Sequence, residues 1–173
     1  MNGKIVGSVI LISALIAGAS LYYLQIYGYY EDATADLPEV RLVSLTSDQP
    51  EPILAERIQA IDADSSPIRF RACFETPSSL AMLTETYVGL EFATPRNAPG
   101  WFDCFDAAAI ADDLATGRAL PFLGQKNVAF GVDRIVMITD EGRGYIWHEL
   151  NDCGEKAYDG TIVGEECPGR DEN

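Results

Sequence analysis

The chain has 173 residues, 27 of them acidic against 12 basic, and a formal charge of −15 at neutral pH. Such a surface repels a phosphate backbone, which excludes nucleic acid as a partner. One histidine excludes any site that needs two imidazoles; four cysteines without a CxxC pair exclude a thioredoxin-like centre, a zinc ribbon and a CxxCH haem attachment.

Residues 1–4 hold Lys4, the single cation near the N-terminus, and residues 5–27 contain no ionisable side chain except tyrosine. At about 1.5 Å per residue that run can cross the roughly 30 Å hydrocarbon layer of a bilayer as a helix. Lys4 on one side and Glu31 and Asp32 on the other predict a cytoplasmic N-terminus. Tyr22, Tyr23, Tyr27, Tyr29 and Tyr30 then form an aromatic belt at the outer interface. A cleaved secretory signal is the competing reading, with an apolar core over 5–16 and a cut after Ala17-Gly18-Ala19. Leu21, Leu24 and Ile26 carry the apolar run past that cut, which favours a retained anchor. Both readings export residues 31–173. Gly7, Ala14 and Gly18 share one helical side, and Ala14 and Gly18 make a small-xxx-small pair through which a second membrane helix can approach closely.

Residues 28–39, with Glu31, Asp32, Asp36 and Pro38, read as a polar stalk ahead of one acidic domain over 40–173. From residue 31 onward there are 27 acidic and 11 basic residues, a formal charge of −16. Such a domain is expected to stand off anionic headgroups or to dock on a basic protein.

Within it, Val40, Leu42, Val43 and Leu45 suggest a first strand, and Pro50 and Pro52 a break. Ile58, Ala60 and Ile61 open a second strand that ends in the turn Asp64-Ser65-Ser66-Pro67. Ile68, Phe70, Ala72 and Phe74 alternate with Arg69, Arg71 and Cys73, the pattern of a half-buried strand. Ser78 or Ser79 caps a short helix running toward Tyr87. Pro95, Asn97, Pro99 and Gly100 make 93–100 a loop. A helix over 107–115 follows, with Asp103 or Asp106 at its start and Gly117 as its stop. Residues 128–139 and 145–150 flank a glycine-containing turn and predict a hairpin. The sum is an α+β domain with an antiparallel sheet and about two helices.

Export places Cys73, Cys104, Cys153 and Cys167 in an oxidising compartment, where two disulfides form by one of three pairings. Cys73 with Cys104 and Cys153 with Cys167 is the favoured set, as structural staples. Candidate chemistry is sparse. His148 alternates with Ile146 and Leu150 on an apolar face, which suits a hydrogen-bonded structural histidine better than a general base. GxSxG and GxxxxGK[ST] motifs are absent. Asp62 and Asp64 begin an acidic loop whose glycine and distal glutamate do not follow in calcium-binding register, so solvated turn carboxylates are expected there, as for Glu165 and Glu166. No catalytic, cofactor-binding or metal-binding residue is assigned. Trp101, Phe102 and Trp147 are interface candidates, weighed against burial in the core.

The N-terminal run, Met1 to Gly7, Ile16 to Gly18 and Tyr22 to Tyr30, resembles an uncharacterised family of short, single-pass bacterial membrane proteins. Members are sometimes labelled automatically as histidine kinases. A kinase needs a phosphoacceptor histidine on a dimerising helix and a nucleotide-binding domain, and the sole histidine here lies on a predicted strand. The resemblance implies a bacterial inner membrane, with the acidic domain in the periplasm. The expected function is a non-enzymatic accessory or assembly subunit of an integral membrane protein complex, held to the lipid bilayer by its anchor. A periplasmic sensor or ligand-binding module is the first alternative, and an exported hydrolase using His148 with an acidic partner the second.

Overall fold

The Asn2 side chain accepts a hydrogen bond from the Lys4 amide and starts helix α1, Gly3–Tyr23, in which no residue is buried. It continues through a wider π-helical turn, Leu24–Gly28, and the whole is long and apolar enough to cross a membrane. The computed structural model describes residues 2–161, 163–165 and 167.

Beyond the helix the chain does not run free. Strand β1, Glu31–Asp32, pairs with strand β4, Glu56–Asp62, and the Ala33 amide donates to the Ala60 carbonyl. Ala33 and Leu37 are buried in the core, so the segment expected as a stalk is the first edge of the sheet. Its short polar spelling conceals two small apolar contacts, which is enough to remove the spacer.

Strand β2, Val40–Val43, forms a two-stranded ribbon with strand β3, Pro50–Ile53. The prolines there do not break the strand as predicted. β3 has one neighbour, and an edge strand tolerates a missing N–H on its open side.

Strand β5, Arg71–Glu75, leads to helix α2, Leu80–Thr86, capped by Ser79. Helix α3, Ala107–Ala115, is capped by the Asp106 carboxylate, which accepts from the Ala108 and Ala109 amides. Gly117, at φ +72, ends it in the left-handed conformation that glycine adopts without strain.

Three long strands follow: β6, Ala119–Ala129; β7, Val132–Thr139; and β8, Arg143–Leu150. The β7–β8 hairpin confirms the predicted turn. Val128, however, belongs to β6 rather than to the strand running to Thr139. A second tight turn at Phe130-Gly131 separates two hairpin arms that read in the sequence as one apolar run.

The main sheet is antiparallel in the order β1-β4-β5-β8-β7-β6. Both of its faces are covered. Ala72, Phe74, Val136, Ile138 and Ile146 point to one side and pack against Val40, Leu42, Leu83 and Tyr87 from the ribbon and α2. Cys73, Ile135, Met137, Tyr145 and Trp147 point to the other and meet Phe102, Phe105 and Ile110, from α3 and the loop before it. The period of two is therefore real, but β5 is buried on both faces rather than half-buried: Arg71 and Cys73 lie under the α3 layer. Gly144 permits this packing on β8, since a Cβ there would stand 2.0 Å from the Phe74 ring.

Disulfides Cys73–Cys104 and Cys153–Cys167 are both formed, and no cysteine is free. The first ties the α3 layer to the sheet. The fold is mixed α+β with an N-terminal apolar helix, as the sequence predicts.

Candidate functional site

Two buried polar residues set the local architecture. Arg71 on β5 donates from Nη1 to the Ile68 and Phe70 carbonyls, from Nε to Arg96 and from Nη2 to Asn97, at 2.6–3.0 Å. Burial lowers its pKa to about 10, so it stays charged at neutral pH while holding the 93–100 segment to the sheet. At the other side of that segment, one Glu149 carboxylate oxygen accepts from the Trp147 indole and from the Thr94 amide, each at 2.6 Å. A loop of prolines and glycine is thereby fixed at Thr94 and at Arg96-Asn97.

His148 is the second. Its Nε2 accepts from Arg134 Nε at 3.1 Å, which leaves the proton on Nδ1, donated to the Pro67 carbonyl at 2.6 Å. Its ring stacks on Phe70, and the Arg134 guanidinium lies over the same phenyl ring at 4.7 Å. With both ring nitrogens engaged and only 5% of its surface exposed, His148 is a structural histidine and has no free nitrogen for base catalysis.

Desolvation, aided by Arg134 and Arg71 nearby, pushes its pKa down to about 4. The unfolded chain takes this proton near 6.5 and the folded one near 4. Stability is therefore fully present above about 6.5 and is lost as pH falls toward 4, by about 3 kcal/mol in all. Urea titrations between pH 7 and 4.5 should show that decline, and His148→Gln should flatten it. Equal slopes in the two proteins would refute the assignment.

Asp62 is half-buried beside Arg134, and desolvation raises its pKa; Asp64 is exposed. Among the described residues no group of three or more histidine, cysteine or acidic side chains is placed to hold a metal. Glu165 pairs with Lys126 at 2.6 Å, and Glu166 lies outside the described residues.

The interface candidates divide. Trp147 is fully buried at the centre of the α3-side core, and Phe102 is buried beside it, so neither is available to a partner. Trp147 points to the α3 side of the sheet, and Phe102 covers it from the loop before α3. Trp101 keeps 38% of its surface exposed and donates its indole N–H to the Ile26 carbonyl at 2.6 Å. That carbonyl belongs to the last turn of the anchor, where helix carbonyls lack partners within the helix. Tyr27 stacks on Trp101, Tyr30 meets it edge-on, and the Arg69 guanidinium lies over Tyr30 at 5.7 Å. Gly7, Ala14 and Gly18 are exposed on α1, with open space beside both glycines.

A surface feature without a signal in the sequence lies on the far edge of the sheet. The segment carrying Glu91, Phe92 and Pro95 runs opposite α3, and Leu120 and Pro121 of β6 form the floor between them. The result is an open apolar groove of about 490 Å³. Phe92 is 82% exposed, and Glu91 has no ion-pair partner among the described residues. Leu90, hydrogen-bonded through its amide to the Pro121 carbonyl, holds this wall along β6. The wall's other end is the segment fixed by Arg71 and Glu149.

A family model described as a family of unknown function (DUF6446) matches residues 40–168. The chain belongs to that family. The match covers the DUF6446 domain from β2 onward and not the anchor residues on which the resemblance to uncharacterised membrane proteins rests. No curated protein and no solved structure matches the chain. An apolar N-terminal helix and two disulfides suggest a membrane-anchored, exported DUF6446 domain.

Proposed function

We propose that the chain is a non-enzymatic accessory or assembly subunit of a bacterial inner-membrane protein complex, with its N-terminus in the cytoplasm and its domain in the periplasm. The anchor packs laterally through the Gly7, Ala14 and Gly18 side. The domain docks through the groove between α3 and the Phe92 segment.

The observation that carries this reading is the exposure of Phe92 at the mouth of an apolar groove whose wall is held rigid. A large exposed aromatic beside an apolar trough is costly to keep in water and marks a contact surface. The occupant this groove suits is a partner segment that presents apolar side chains flanked by basic ones. Glu91 at the rim and the −16 charge of the domain favour that complement. A ligand-binding module is less well supported, because the groove is open and lacks convergent polar groups. A hydrolase loses its only histidine to the core.

Purification in mild detergent at native abundance tests the reading. A larger membrane complex should accompany the wild-type chain, and Phe92→Asp or Glu91→Lys should each lower its recovery about ten-fold while leaving thermal stability unchanged. A lone monomer from the wild type, or complex recovery untouched by both substitutions, would contradict it.

A further inference from the structure

The domain sits at the bilayer surface, and the depth follows from the anchor. Counting from Ile5, about 20 residues cross the hydrocarbon, which brings Leu24 to its outer boundary. Ile26 and Tyr27 then lie in the headgroup layer, which is roughly 5–7 Å deep on each side. Trp101 is hydrogen-bonded to Ile26 and stacked on Tyr27, so a residue of the domain itself occupies that layer. No spacer intervenes, because the sheet begins at Glu31.

Two arginines at this end are not drawn into ion pairs among the described residues. Arg41, Arg57, Arg118, Lys126 and Arg143 each hold a carboxylate. Among the described residues Arg69 and Arg96 hold none, like exposed Lys156 in the second disulfide's segment, while buried Arg71 and Arg134 bind carbonyls and His148 instead. Both lie near Arg71, which also has Tyr30 as a neighbour. Arg69 lies over the Tyr30 ring, and Arg96 follows Pro95 in the segment that Arg71 binds by its Arg96 and Asn97 carbonyls. Arg96 is exposed to solvent and Arg69 partly so. Two arginines left without carboxylates, beside a tryptophan and two tyrosines at headgroup depth, make a surface matched to phosphate. The planar guanidinium binds phosphate oxygens in pairs, and Trp and Tyr favour the same layer.

We infer that the membrane-proximal end of the domain rests on the bilayer, with Arg69 and Arg96 binding lipid headgroup phosphates around the Trp101–Tyr27–Tyr30 cluster. This reverses the expectation that an acidic domain stands away from the membrane: net charge describes the whole surface, while contact is decided by the few side chains within a Debye length of the headgroups. Glu31 and Asp32 also lie at this end, Asp32 in a cavity shared with Trp101, so the contact is local to the two guanidinium groups.

The test is solid-state NMR of the full chain, arginine-labelled with ¹⁵N, in phosphatidylglycerol vesicles and phosphate-free buffer, reading ³¹P dephasing of guanidinium signals. Signals from Arg69 and Arg96 should dephase, and Arg69→Gln and Arg96→Gln should each remove one of them. Dephasing absent from the wild type, or retained in full by the double variant, would overturn the inference. A headgroup-borne spin label supplies a second reading that does not depend on charge. It should quench the wild-type tryptophan emission and leave Trp101→Phe unquenched, since Trp147 is buried. Equal quenching in the two proteins would count against headgroup contact.

Discussion

Arg71→Met should destabilise the domain by about 3–5 kcal/mol and release the 93–100 segment. Methionine fills most of the volume but donates nothing, so the carbonyls of Ile68, Phe70, Arg96 and Asn97 lose their donor together. Because the segment is built from prolines and glycine, it has little regular hydrogen bonding of its own with which to compensate. Glu149 would still hold Thr94, so the damage should concentrate between Pro95 and Gly100. Urea unfolding gives the energy, and amide exchange gives the location. The proposed docking wall is part of this assembly, so partner recovery should fall with it even though Arg71 touches no partner. A loss below about 1 kcal/mol would show that the four carbonyls are satisfied some other way.

Removing the Cys73–Cys104 bridge by alanine substitution at both positions should cost about 3.5 kcal/mol in the chain-entropy model, given a sequence separation of 31. For a domain of this size that corresponds to a fall in Tm of about 10 °C. The bridge fastens the loop before α3 to the centre of the sheet, so its loss should also loosen the layer that covers Trp147. The Cys153–Cys167 bridge closes a separation of 14 and fastens a segment outside the two core clusters. Its removal should leave the sheet's exchange protection unchanged. Thermal melts and exchange profiles of the two double variants separate these roles. Identical profiles would mean that neither bridge is specific to a layer.

The elements with strong local signals were legible from the sequence. Asp106, the alanine run and Gly117 define α3 by cap, propensity and stop, and Ser79 does the same for α2. The turn before Arg143 announces the last hairpin. Export implied two disulfides, and of three possible pairings the favoured one is the one formed. What stayed hidden depends on the third dimension. Pro50 and Pro52 look like breakers until the strand carrying them is known to be an edge. Val128 reads as continuous with β7 because Phe130-Gly131 is a short turn between two apolar stretches. Trp147 and Phe102 stayed open between core and interface because the alternation of β8 does not reveal that α3 covers its second face. Phe92 carries no periodic context, and the groove it borders is made by elements distant in sequence. Arg69 and Arg96 are likewise brought near the end of the anchor only by the fold.

The domain is carried outside the cytosol and stays joined to its lipid-embedded helix in the proposed arrangement. Intact-mass analysis of the protein extracted from membranes tests that most directly. It should give a chain that retains residues 5–27 and lacks the four hydrogens that two disulfides remove. A mature species beginning at Ser20, or one with four free thiols, would contradict it.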